Sequence, residues 1–200
     1  VRQGISADAC GLLLAEADKL LNLSTTPYRT HGAVSGRDLL GDAPNTVHTP
    51  RYVLWQIVPW GGETVPINQS APTLKSAGGI FRIINRFRDR VGLWGWLRIL
   101  GPQGDGSYGL SAWYGDCCSL PYVVLWADPT LTPQSPVEAD LPLSRHFARG
   151  QTSVRDGWND EDTLVTFTSG EGLPGIWNHG DENTFTFYSR NERFAVDPGG

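Results

Sequence analysis

Two residues near the end of the chain have the chemistry of metal ligands, and a third acidic residue stands beside the first. The two are His179 and Asp197, with Asp181 close to His179, in the stretch "WNHGDENTFTFYSRNERFAVDPGG". Neutral imidazole and carboxylate are ordinary Zn²⁺ ligands. Each ligand needs a hydrogen-bonding partner behind it, and Asp181, Asn183 and Thr184 are at hand for that. His179 and Asp197 come together if the segment between them is a hairpin. In "NTFTFYS", Phe185 and Phe187 fall on one face, and Thr184, Thr186 and Tyr188 on the other. With Arg190 and Asn191 as the central turn residues, Ser189 faces Glu192. Counting back along a regular ladder then sets Asp197 opposite Thr184, at the end where His179 and Asp181 approach. The same residues also allow a plainer account: His179 in a loop, Asp181 capping a turn, and Asp197-Pro198-Gly199 turning after a strand. Spacing alone leaves both open.

The elements that must position these groups fall into two halves with different periods. "SADACGLLLAEADKLLN" places apolar residues at helical spacing after a Ser6 cap, and a loop rich in Thr, Gly, Asp and Pro follows to about residue 50. "RYVLWQIVPW" reads as a short buried helix closed by Pro59 and Gly61-Gly62. "TLKSAGGIFRIINRFRD" and "VGLWGWLRILG" are two more helical patterns, the second loosened by Gly92 and Gly95. "SAWYGDCCSLPYVVLWAD" is ambiguous in its period and is read as helix. "PTLTPQSPVEADLP" is a Pro-rich connector without periodicity, which sets a boundary near residues 129–142. Beyond it the period is two: "QTSVRDGW", "DTLVTFTSG", "NTFTFYS" and "RFAVD" are strand-like runs separated by Gly, Asn and Asp.

The expected architecture is therefore α+β and multidomain: a helical part over residues 1–135, then the first strands of an antiparallel β-sandwich over 143–200. Four strands are few for a sandwich, so the rest is expected from a missing segment or from another chain.

Composition narrows the function. Hydrophobic residues are 40% and charged residues 18%, a globular balance. The net charge of −5 argues against nucleic acid as a partner. A local run, "FRIINRFRDR" with Arg82, Arg86, Arg88 and Arg90, is compatible with binding an anionic polymer or with a solvated helix face. Eight Trp are many for this length; they suit sugar stacking and core packing alike. Cys10, Cys117 and Cys118 form no disulfide framework, because neighbouring cysteines pair only with strain. No apolar run reaches the length of a membrane span. The N-terminal segment lacks the basic start of a signal peptide, and Val1 is not expected to be the translation start.

"RDGWNDEDTLVTFTSGEG…WNHGDENTFTFYSRNERFAVDPGG" resembles the start of the β-sandwich module of heparinase II/III-type polysaccharide lyases. Arg155, Gly157 and Trp158 match an Arg-x-Gly-Trp strand, followed by Asp162 and Thr163. His179, Asp181, Asn183 and Phe185 match a His-x-His-x-Asp-x-Asn-Ser-Phe motif, and Asp197 and Gly199 match a strand ending Asp-x-Gly. "TVPINQSAPTLKSA" is more loosely similar to a helix connection in that family's α/α toroid. The resemblance implies a toroid joined to a sandwich, and a secreted, periplasmic or cell-surface location. It implies a structural Zn²⁺ held by His179 and Asp197, with a third ligand outside this segment, and an acidic polysaccharide as substrate, cleaved by β-elimination. The family's first His, which assists catalysis, falls at Trp177. An indole neither accepts a proton nor holds a carboxylate in that way, but it stacks on a sugar ring. Trp177 and Asn178 are accordingly the substrate-binding candidates. The family's catalytic Tyr has no clear counterpart; Tyr52 is the candidate, with Tyr108, Tyr114 and Tyr122 as alternatives. A protein on the same fold that binds acidic polysaccharide without cleaving it, or serves as a structural subunit, is the competing expectation.

Overall fold

The structure is a computed structural model that describes residues 44–66, 78–100, 126–148, 150–169 and 183–196. The expected helix near the N-terminus and the "SAWYGDCC" segment lie outside these residues. Within them the fold is mixed α+β: a small helical layer packed on an antiparallel five-stranded sheet.

The helical layer starts with a 3-10 turn, Pro44–His48, which leads into α1, Thr49–Tyr52, and a second 3-10 turn, Val53–Trp55. The expected buried helix is therefore shorter than its apolar run. After Trp55 the chain turns back, so that Ile57 bridges Thr64 and Val65 N–H donates to Gln56 O at 2.7 Å. Gly61 and Gly62 make that reversal at φ 82° and 77°, a region that glycine enters without a Cβ clash.

Two helices complete the layer, α2 (Gly78–Phe87) and α3 (Arg90–Leu100). Ile80, Phe81, Ile83 and Ile84 of α2 recur at helical spacing and pack with Leu93, Trp96, Ile99 and Leu100 of α3. Asp89 sits between the helices and caps α3: its Oδ1 accepts Gly92 N–H at 3.1 Å and Arg51 Nε at 2.9 Å. Gly92 and Gly95, whatever they cost α3 in propensity, have a packing use. They let it approach α1 and the turn beyond, because a Cβ on Gly92 would lie 2.8 Å from Pro50 Cβ, and one on Gly95 2.5 Å from Leu54 Cδ2.

The sheet is a simple meander, β1 (Ser144–Phe147), β2 (Gln151–Arg155), β3 (Leu164–Thr168), β4 (Thr184–Ser189) and β5 (Glu192–Ala195). Four of these are the expected strands. The fifth, β1, was not anticipated, because "SRHF" carries no alternation and is almost wholly exposed. Arg190 and Asn191 take φ 51° and 60° in the β4–β5 turn, and Ser189 pairs with Glu192, as the sequence suggested. The ladder is not regular beyond that point. Tyr188 pairs with Arg193 but Phe187 pairs with Ala195, so Phe194 is an extra residue in a bulge. The regular count that set Asp197 opposite Thr184 is thus displaced by one before it leaves the described residues.

The two faces of the sheet are inverted with respect to the helical layer. Register places Gln151, Ser153 and Arg155, Leu164 and Thr166, and Thr186 and Tyr188 on one face, and all seven are buried. Only Leu164 and Tyr188 among them are apolar; they pack on Val58 and Val65. The opposite face carries Val154, Val165, Phe167, Phe185 and Phe187, with Phe194 stacked on Phe187 at 5.1 Å. Phe185 and Phe194 are 59% and 61% exposed, so this apolar side is not where the described residues have their core.

Candidate functional site

Trp177, Asn178, His179, Asp181 and Asp197 all lie outside the described residues, as do Tyr108, Tyr114 and Tyr122. Among the described residues, no group of three or more His, Cys, Asp or Glu side chains is placed to hold a metal. What the structure does place is the end of the sheet from which the 170–182 connection leaves. There Ser169 Oγ donates to Asn183 Oδ1 at 2.9 Å, and Asn183 has φ 61°. Asn183, expected to support a ligand, is held by Ser169 in this way.

Arg155, Gly157, Trp158, Asp162 and Thr163 form one built element between the sheet and the helical layer, whereas the matched Phe185 lies on the opposite, exposed face. Arg155, at the end of β2, is 6% exposed. Its guanidinium donates to the carbonyls of Leu54, at 3.1 Å, and Ile57. It also lies over the Trp158 ring at 4.7 Å. Burial, with the charge of Arg98 behind it and opposed by Asp162, pulls its pKa down to about 9, so it still carries its charge at neutral pH. Trp158 in turn meets the Trp55 ring edge-on at 5.3 Å and the Trp94 ring at 6.4 Å. Trp55 and Trp94 belong to the helical layer, so Arg155 and Trp158 join the two halves through charge, backbone carbonyls and aromatic faces together.

The loop after β2 is shaped for this. Asp162 Oδ2 accepts Asn159 N–H at 2.6 Å, and Asp156 Oδ1 accepts Thr163 N–H at 2.6 Å. A Cβ on Gly157 would stand 2.1 Å from Asp162 Oδ2, so only glycine leaves room for that carboxylate. Thr163 Oγ1 meets Ser189 Oγ at 3.1 Å, and Arg190 N–H donates to Glu161 O at 3.1 Å, which ties the loop to the β4–β5 turn.

These bonds predict a modest acid sensitivity. The Thr163 amide holds the Asp156 carboxyl below its usual value. Thr130 does the same for Asp128, and Ser135 for Glu138. A lowered folded pKa stabilises above the unfolded value, and that contribution is lost as pH falls through the folded one. Stability is therefore expected to hold down to about pH 4 and to decline below it, as followed by thermal melts across pH 2.5 to 6; a decline already complete at about pH 5 would contradict it.

Tyr52 is also placed. Its hydroxyl donates to Gln151 Oε1 at 2.8 Å, and its ring meets Phe147 edge-on at 5.0 Å. Burial pushes its phenol well above the ordinary value. A phenol so held is harder to ionise, the reverse of what a general base needs. Gln151 Nε2 donates onward to Gln56 Oε1 at 2.9 Å. Among the described residues, Gln56 Nε2 and Ser153 Oγ beside these side chains, and Arg155 Nε and Trp158 Nε1 in the neighbouring joint, are buried without a hydrogen-bond partner. Each such group costs about 1–3 kcal/mol.

This polar seam was not foreseen. Alternation marks β2 as a strand without saying which face turns inward, and the inward residues are Gln151, Ser153 and Arg155 while Val154 is exposed. The arginine run also has a local use. Arg88 pairs with Asp128, Arg90 Nε donates to Thr132 O at 2.8 Å, and Arg82 lies over Trp126 at 6.0 Å, so three of its members clasp the connector after residue 125.

A comparison of the sequence with protein-family profiles and with curated proteins finds no match. No helix among the described residues is long and apolar enough to cross a membrane.

Proposed function

We propose that this chain is part of a polysaccharide lyase of the heparinase II/III type, with the helical layer belonging to an α/α toroid and the sheet to a β-sandwich. The observation that carries this reading is that Arg155, Gly157, Trp158, Asp162 and Thr163, matched as a string in sequence, work as one joint between the halves. The exposed apolar face with Phe167, Phe185 and Phe194 favours the sandwich, since a second sheet is the usual cover for such a face.

The substrate is an acidic polysaccharide. In β-elimination a donor group neutralises the uronate carboxylate, which acidifies the C5 proton. A base removes that proton, its electron pair forms the C4–C5 double bond, and the glycosidic oxygen leaves from C4 with a proton from an acid. Trp177 and Asn178 would contact the sugar, and His179 and Asp197 would hold a structural Zn²⁺. Incubation with alginate, heparin, chondroitin and ulvan should release unsaturated uronic ends, read by their ultraviolet absorption. Silence across the panel with glycan binding retained would leave the non-cleaving reading, which Trp177 in place of the catalytic His favours.

Given its bond to Gln151, Tyr52 enters this proposal as a positioning residue. Tyr52→Phe is expected to reduce the elimination rate by less than tenfold, against the roughly 10²–10⁴ that loss of a general base costs. A larger loss at unchanged stability would return Tyr52 to the role of base. For the metal, elemental analysis of the full-length protein should find Zn²⁺, and chelation should lower its melting temperature; a metal-free protein indifferent to chelators would remove the cation from the proposal.

A further inference from the structure

The inner face of the sheet changes character along the strands. Its first row is Arg155, Leu164 and Tyr188, the second is Ser153, Thr166 and Thr186, and the third is Gln151, Thr168 and Thr184. The first row is sealed by Val58, Val65 and Trp60. The second is buried yet built from hydroxyls, with Thr166 Oγ1 and Thr186 Oγ1 2.6 Å apart. The third reaches solvent, since Thr168 is half-buried and Thr184 exposed. A row of hydroxyls thus leads from an open corner of the sheet to Ser153 Oγ and Gln56 Nε2, two buried polar atoms without a partner. Around this third row, the helical layer is attached by Tyr52 to Gln151, by Gln151 to Gln56, and by the Tyr52–Phe147 ring edge. An interface so polar resembles one between domains that move, not a domain core.

We propose that this seam opens about its first row, where Arg155, Leu164 and Tyr188 hold the helical layer, and that the Gln56, Ser153, Thr166 and Thr186 side chains are a binding site for the hydroxyls of a sugar. Hydroxyl and amide groups present both donors and acceptors, as a sugar's hydroxyls require, and the site carries no charge of its own. The uronate nature of the sugar rests on the function proposed above; the opening does not.

The test uses the full chain with single added thiols. Ser153 and Val58 are both fully buried, at 0% and 1% exposure, but Ser153 lies in the hydroxyl row and Val58 packs against Leu164 and Tyr188 of the first row. Ser153→Cys should react with a maleimide at a rate independent of low denaturant and about 100-fold faster than Val58→Cys, which waits for global unfolding. Thr166→Cys serves as the second probe of the row. Peptide mass spectrometry keeps the native Cys10, Cys117 and Cys118 apart from the added thiol. Oligosaccharides of alginate, heparin, chondroitin or ulvan, whichever the protein binds, should slow the reaction at Ser153→Cys about tenfold. Equal rates at the two rows, both tracking global unfolding, would overturn the opening. Fast labelling that no bound oligosaccharide slows would overturn the sugar site. Absence of glycan binding to the unmodified protein would count against the proposed function and against the sugar site, while the rate ratio would still decide the opening.

Discussion

Trp158→Ala is expected to destabilise the protein by about 3–5 kcal/mol, the range for truncating a buried Trp. Trp158 is 7% exposed and touches Trp55 and Trp94 on one side and the Arg155 guanidinium on another. Removing the indole leaves a cavity in the joint and takes away the aromatic face on which a buried cation rests. Arg155→Met should act through the same joint, because it strands the carbonyls of Leu54 and Ile57. The two changes share partners, so their effects should not add; a double-mutant cycle is expected to show a coupling of about 1 kcal/mol or more. Urea unfolding followed by Trp fluorescence measures all three. A cost below about 1 kcal/mol for Trp158→Ala would mean that the sheet and the helical layer are held together by other contacts.

Gly92→Ala is the second large effect, expected at about 3 kcal/mol, near the upper end for overpacking a well-filled site. A Cβ there would meet Asp89 Oδ2 at 2.4 Å and Pro50 Cβ at 2.8 Å. Neither neighbour can give way cheaply. Pro50 is fixed in α1, and the Asp89 carboxylate is buried, caps α3 and pairs with Arg51. The added methyl must push the helices apart or break that cap. In an exposed helix the same substitution would instead stabilise, by up to about 1 kcal/mol. The sign of the change measured by thermal or urea unfolding therefore distinguishes close packing from mere helix propensity.

That glycine shows where the sequence was readable and where it was not. The period of "VGLWGWLRILG" is enough to make a helix, and α3 is there over Arg90–Leu100. The meaning of Gly92 depends on what lies across from it, and no local pattern holds that information. The strands behave alike. Alternation locates β2 to β5, and the paired positive φ values of Arg190 and Asn191 suit the turn that "SRNE" suggested. Alternation is symmetric between faces, however, and it does not say that the hydroxyl side would meet the helices. The strand β1 escaped because an edge strand that buries little need not alternate. The Phe194 bulge escaped because one extra residue leaves no trace in composition. Of the candidate site, the residues of the joint are described and engaged with one another, Tyr52 is described and held by Gln151, and the expected zinc ligands His179 and Asp197 lie outside the described residues.

The bulge has a bearing on solubility. A meander leaves two open edges, each a template on which a foreign strand can add and start a fibril. Among the described residues, one edge is the four-residue β1, which carries Arg145 and His146, and the other is β5, where Phe194 interrupts the ladder next to Glu192 and Arg193. Short, charged and locally twisted borders of this kind are poor seeds, so edge-to-edge pairing at these two strands is expected to be disfavoured even though one face of the sheet is rich in phenylalanine.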